Sequence, residues 1–305
     1  MKKQEWCLQQ RASSVERLME KLINGAGWGV ILLIGAITFY LFYSGFPFIQ
    51  KYGLGELLLN SRWAPVGKRV SYGISYMIGT SLFGSFGVMA LIIPLGTVIA
   101  LYTEELAPEW IAAIIRSAMG LMAGIPSIIY GLVGLMLVTP VFYELEKWYG
   151  KQNVDFSSVS GGANFLVSIL LLTIMFLPTM VLSVGEVIRA VPEYYKVSAL
   201  GLGATKFEVA SGIILLCIKK QIVAAGILNF GRVLGETMVV SLVAGGIVHK
   251  PELFEPVRFL TTTLASEMGY ATGAHREALF SIGLLLYLIL MAVMGGMHVF
   301  TEKKQ

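Results

Sequence analysis

Long uncharged runs at 22–50, 70–103, 117–143, 156–185, 221–231 (continuing to 248) and 278–301 decide what this chain can fold into. Each supplies the roughly 20 apolar residues that a hydrocarbon core about 30 Å thick demands, so six membrane crossings are the natural reading. Hydrophobic residues make up 56% of the 305, charged residues 14%, and the mean hydropathy is +0.73, which excludes an ordinary soluble domain. The runs lack the alternation of a membrane barrel, and lipid leaves unpaired backbone groups unsatisfied, so an all-α integral membrane protein is expected, as a single unit over 1–305. An even number of spans puts both termini on one side. Lys2, Lys3, Arg11, Arg17 and Lys21 at the start, with Lys303 and Lys304 at the end, assign that side to the cytoplasm. The first run is too long for a signal-peptide core and reads as a retained anchor. Cys7 and Cys217 then fall on the inner side, away from any oxidising compartment, and read as inert thiols. The formal charge of +4 follows from topology, because the basic residues are scattered and form no nucleic-acid patch.

Arg232 and Glu236 interrupt the fifth run with opposite charges four residues apart, which on one helix places them on one face. A charge at the centre of a transmembrane helix costs about 2.5–3.5 kcal/mol, so such a pair faces a polar route or a partner. Two readings stand: a structural ion pair joining helices, or a gate on an anion route. Asn229 lies on the same stripe and offers a further donor, and Thr237 follows the pair, so Arg232, Glu236, Asn229 and Thr237 are the candidate substrate pathway.

Along the chain, Ser13 followed by Glu16 reads as a capping box, and Val15, Leu18, Met19, Leu22 and Ile23 repeat at helical spacing, predicting a short amphipathic helix within 1–24 on the inner surface. The loop 47–69 is external, with Trp63 and Tyr72 placed as interfacial aromatics. Glu104, Glu105 and Glu109 form an acidic inner turn after the second span. Gly124, Pro126 and Ser127 interrupt the third run, where proline removes a backbone donor, so a kink or a broken helix is expected. A break would point free N–H groups into the membrane. The cytoplasmic segment 186–212 contains Ser198, Ala199, Leu200 and the small residues 201–204, followed by Thr205, a good N-cap for a helix starting at Lys206. Two short helices joined by a glycine turn are predicted there, either as a docking element for another protein or as a plain connection.

The residues 197–216 resemble the cytoplasmic "EAA" loop of ABC importer permeases. Ser198 and Ala199 stand at the two alanine positions, Gly203 at the glycine, and Ile213 and Leu215 at the family's spacing, while Val197 replaces the glutamate and Leu216 the proline. GIPSIIYGL from Gly124, GRVLGETMV from Gly231 and LTTTLASEMG from Leu260 are each similar to stretches of the phosphate-permease branch, PstC, and the GRVLGETM stretch, with methionine after the threonine, favours that branch over the partner permease PstA. The resemblance implies a type I, MetI-like six-transmembrane-helix fold with cytoplasmic coupling helices between the fourth and fifth spans. ATPase coupling would then fall to Val197, Ser198, Ala199, Leu200, Gly203, Ala204 and Thr205. It also implies a PstA-like second permease, two PstB-like ATP-binding subunits, an extracytoplasmic PstS-like phosphate-binding protein, and a role for Arg232 and Glu236 in phosphate passage.

No phosphate-binding GxxxxGK[ST] loop occurs; Gly67-Lys68-Arg69 lacks the hydroxyl residue, so ATP hydrolysis by this chain is not expected. His249, His275 and His298 are scattered, and neither a metal nor any other cofactor is expected. Sulfate or molybdate as the cargo, an ion-coupled secondary transporter, and a signalling scaffold for phosphate status remain as alternatives.

Overall fold

The computed structural model describes residues 2–152 and 161–302. Lys303, Lys304, the start of the fourth predicted run at Phe156, and the side chains of Cys7 and Ser13 lie outside the described residues. The chain is built of helices: α1 Lys2–Leu59, α2 Ser75–Leu101, α3 Glu109–Ala123, α4 Ser127–Val133, α5 Thr139–Gln152, α6 Phe165–Arg189, α7 Glu193–Gly201, α8 Lys206–Glu208, α9 Leu215–Gly235, α10 Met238–Val243, α11 Leu260–Glu267 and α12 Gly273–Glu302. Among the described residues six helical stretches are long and apolar enough to cross a bilayer: Met19–Leu59, Ser75–Leu106, Ser127–Trp148, Phe165–Arg189, Lys206–Gly235 and Gly273–Gly296. The all-α, six-span architecture expected from the apolar runs is the one adopted.

Several boundaries differ, each for a local reason. No helix starts at Ser13: α1 runs unbroken from Lys2, since the residues before the capping signal are themselves good helix formers. Its interruption comes late, at Gly53, where φ of 80° and ψ of 152° leave the helical region. The third crossing starts at Ser127, ten residues beyond the predicted start, because 117–123 belong to the separate helix α3. The fourth starts at Phe165, where the Asn164 side chain accepts a hydrogen bond from the Val167 amide at 2.9 Å as an N-cap.

The core is the pairing of α2 with α6, with α9 packed against both and α12 joining α9 to α1. With lipid outside, helices associate through close packing rather than water exclusion, and small residues permit it. A Cβ at Gly96 of α2 would fall 2.7 Å from Met180 Cγ of α6. At Gly45 of α1 it would fall 2.9 Å from the Ser281 backbone nitrogen of α12, and Ser281 Oγ donates to the Gly45 carbonyl at 2.7 Å.

Between the first two spans, β1 Trp63–Ala64 pairs antiparallel with β2 Ser71–Tyr72, Trp63 opposite Tyr72. Tyr72 is buried against Phe48, and burial pushes its phenol pKa above the ordinary value, with Tyr52 and Glu277 adding to the rise. Tyr72 therefore packs inward with Trp63 half-buried against it, because the hairpin folds back onto the bundle.

Candidate pathway and coupling surfaces

The fifth crossing does not continue through the charged pair. α9 ends at Gly235, and Glu236 takes extended geometry, φ −66° and ψ 134°. Its carboxylate turns forward: Oε1 accepts from the amides of Met238 at 3.0 Å and Val239 at 3.2 Å, satisfying donors that the new helix α10 would otherwise leave open. The Glu236 carbonyl accepts from Thr261 Oγ1 at 2.8 Å, tying the break to α11, and Thr237 Oγ1 donates to the Gly235 carbonyl at 3.2 Å. The expected ion pair is not made; among the described residues Arg232 and Glu236 form no salt bridge, because the break rotates the carboxylate off the helix face that spacing assigned to it.

Arg232 stands in the last turn of α9, exposed on this chain, and Glu236 is half-buried. An exposed guanidinium between apolar turns requires a polar route or a partner surface in the membrane. Asn229 does not share its environment. It is buried against α6, where its Oδ1 accepts from Thr179 Oγ1 at 2.9 Å and its Nδ2 donates to the Ala225 carbonyl at 2.9 Å. It joins helices and is not a free donor beside Arg232.

The interruption at Gly124, Pro126 and Ser127 is a full break: α3 ends at Ala123 and α4 opens at Ser127, with Pro126 at the N-cap. Tyr130 Oη donates back across it to the Met122 carbonyl at 2.8 Å. The halves that continue from the two breaks pack together. A Cβ at Gly131 of α4 would meet Val239 Cα of α10 at 3.3 Å and Leu242 Cδ1 at 2.7 Å, so only glycine allows the approach.

On the segment between the fourth and fifth crossings, α7 ends in a turn at Gly203, whose φ of 94° favours glycine. Thr205 caps α8 reciprocally: Glu208 Oε2 accepts from the Thr205 amide at 2.7 Å, and Thr205 Oγ1 accepts from the Glu208 amide at 3.3 Å. Ala199 faces inward, 7% exposed, and Ala204 is half-buried, whereas Tyr194, Val197, Ser198, Leu200, Leu202 and Phe207 face out. The apolar side chains of this run have no cover among the described residues.

Two charge clusters escaped the sequence reading. At one end, Glu104 pairs with Arg189 at 2.7 Å and Arg116 at 3.4 Å, and its neighbour Glu105 pairs with Lys196 of α7. At the other, buried Glu267 takes Arg258 Nη1 at 2.7 Å, His275 Nε2 at 2.8 Å and Trp63 Nε1 at 3.0 Å. The acidic residues were visible in the sequence, but their partners come from distant segments.

Residues 92–305, which contain both helix breaks and the segment with α7 and α8, match the family described as binding-protein-dependent transport system inner membrane component. The chain is 36% identical over 276 residues to the phosphate transport system permease protein PstC of Pasteurella multocida, across 87% of this chain and 85% of that protein. Its fold is that of a bacterial alginate ABC transporter in complex with an alginate pentasaccharide-bound periplasmic protein, with a TM-score of 0.57 at 14% identity over 89% of this chain and 94% of that one. The inward-facing MetNI methionine ABC transporter aligns with a TM-score of 0.54 at 16% identity, over 74% of this chain and 92% of that one. With six crossings and this match, the chain is a multi-pass inner membrane protein and belongs to the family of binding-protein-dependent transport system inner membrane components.

Proposed function

We propose that this chain is the permease subunit of an ATP-driven inorganic phosphate importer, contributing half of the translocation route. As a member of its family it works with an ATPase and a binding protein; the finer reading is a second, PstA-like permease, two PstB-like ATP-binding subunits and a PstS-like phosphate-binding protein. Energy comes from those ATP-binding subunits, since this chain carries no phosphate loop of its own, and both termini lie on the cytoplasmic side. The observation that carries the proposal is Arg232, an exposed guanidinium at the end of α9 beside a helix break, in a chain 36% identical to a protein named for phosphate transport. A guanidinium presents donors in a fork that matches a tetrahedral oxyanion. Glu236 holds α10 by capping it and so fixes the turn that presents Arg232, while Thr237 closes that turn. The outward side chains of α7 and the turn 202–205 receive the ATPase subunits, and Ala199 allows α7 to pack closely on its own bundle.

Arg232→Gln tests this in cells that depend on the transporter. Phosphate uptake is expected to vanish while the complex still co-purifies with its ATPase subunits, and normal uptake would remove Arg232 from the route. Competition by sulfate or molybdate at equal concentration, if it abolished labelled phosphate uptake, would reassign the cargo to another oxyanion.

A further inference from the structure

The inner end of the second crossing finishes in a π-helical turn, Tyr102–Leu106, one of three among the described residues with Gly134–Val138 and Val209–Ile214. It carries two adjacent carboxylates with different assignments. Glu104 reaches Arg116 of α3 and Arg189 at the end of α6, whereas Glu105 reaches Lys196 on α7. Glu104 is set in a fitted place: a Cβ at Gly185 of α6 would sit 3.2 Å from its Oε1. The Glu105 and Lys196 side chains are 13% and 22% exposed, too sheltered for an ordinary surface pair, whose contribution is close to nothing.

The connectivity gives that pair a mechanical meaning. α7 hangs from the fourth crossing by the short link 190–192 and from the fifth by the turn 202–205. No comparable chain link joins it to the second crossing; the Lys196 to Glu105 contact supplies one. Without it, a displacement of α7 would reach the end of α2 only indirectly, through the packing of α2 on α6 and α9 and of α8 on the π-turn. We propose that the π-turn Tyr102–Leu106 is the joint that carries motion of the coupling helix into the second crossing, with Glu105 and Lys196 as its positioning residues and Glu104 anchoring it to α3 and α6. This rests on the reading of α7 as the element that the ATPase subunits move.

The test uses the whole transporter in proteoliposomes with its partner permease, ATPase subunits and phosphate-loaded binding protein. Glu105→Gln and Lys196→Gln should leave assembly intact and lower both uptake and binding-protein-stimulated ATP hydrolysis about ten-fold, within the roughly 5- to 150-fold span of couplings between sites. The exchange Glu105→Lys with Lys196→Glu should restore most of both. Spin labels on the exposed Val98 of α2 and Tyr195 of α7 read the joint without any substrate: addition of nucleotide leaves their separation unchanged in the parent and widens it in Glu105→Gln. Full uptake in the single variants, an exchange no better than either of them, loss of assembly in the single variants, or equal label separations in parent and variant would each overturn the proposal. Failure of the phosphate reading shows elsewhere, in a parent complex that takes up no phosphate while its labels still move together.

Discussion

The two charged clusters at opposite ends of the bundle are built on different plans. The one around Glu267 converges: an arginine, a histidine and an indole from three segments meet one carboxylate, with Glu267, His275 and Arg258 side chains 5%, 7% and 18% exposed. The one around Glu104 and Glu105 disperses: two carboxylates reach three cations on α3, α6 and α7, and Arg116 and Arg189 remain 36% and 49% exposed. A convergent, dry cluster cannot exchange partners without leaving a charge unpaired in a poor solvent for it. In the dispersed one the Glu104 and Glu105 side chains are themselves 6% and 13% exposed, but Arg116 and Arg189 reach water, which can hold those two charges during an exchange. The first is suited to clamp the hairpin β1–β2 and α11 onto α12; the second is suited to a surface that must move.

The largest effect therefore belongs to Glu267→Ala. Removing one partner from a buried ion pair typically costs about 3–5 kcal/mol, because the remaining charge is stranded. The thermal midpoint of the purified complex should fall by far more than in any variant of the Glu104 and Glu105 cluster. A midpoint lowered no further than by Glu104→Gln would break the distinction between the two ends.

Glu104→Gln comes next. The neutral amide still accepts from Arg189, and both arginines reach water although the Glu104 side chain is 6% exposed, so the loss should be about 1 kcal/mol, well below that of a fully buried pair. Ionic strength separates the clusters in the same experiment: the Debye length shortens to about 3 Å at 1 M salt, which screens exposed charges and leaves buried ones nearly untouched. In high salt the difference between parent and Glu104→Gln should shrink, while that between parent and Glu267→Ala should persist. Equal shrinkage of both would show that the Glu267 cluster is wetter than its burial implies.

What the sequence disclosed follows the same division between local and distant causes. Thr205 was legible as the N-cap of a helix starting at Lys206, and the structure adds the reciprocal bond with Glu208, three residues on. An interruption at Pro126 announced itself because a proline removes a donor wherever it stands, but that it is a full break and not a kink did not. The break at Glu236 did not: Gly235-Glu236-Thr237 continues a helical pattern, and what ends the helix is a carboxylate turning forward onto α10 and a hydroxyl arriving from Thr261, 25 residues on. Asn229 shared a predicted stripe with Arg232, yet Thr179 from another helix claims it, and helix periodicity carries no information about which neighbour lies opposite. The Glu267 cluster was the least legible, since Trp63 and Glu267 are 204 positions apart and meet only once the hairpin has folded back.

The smallest effect lies at the rim of the Glu104 and Glu105 cluster and decides whether that cluster is graded or uniform. Arg116 also contacts Glu109 at 3.3 Å, but the Glu109 side chain is 83% exposed, and Glu104 of the π-turn already holds Arg116 in place. An ion pair so open to water gains little Coulomb energy and spends side-chain entropy, so Glu109→Ala should shift stability by less than about 0.5 kcal/mol. Uptake should be indistinguishable from that of the parent. If Glu109→Ala instead slowed uptake as Glu105→Gln is expected to, charge count at the inner end would matter more than which carboxylate holds which helix. The assignment of Glu105 to Lys196 would then lose its special standing, and the inner end would act as a diffuse electrostatic surface.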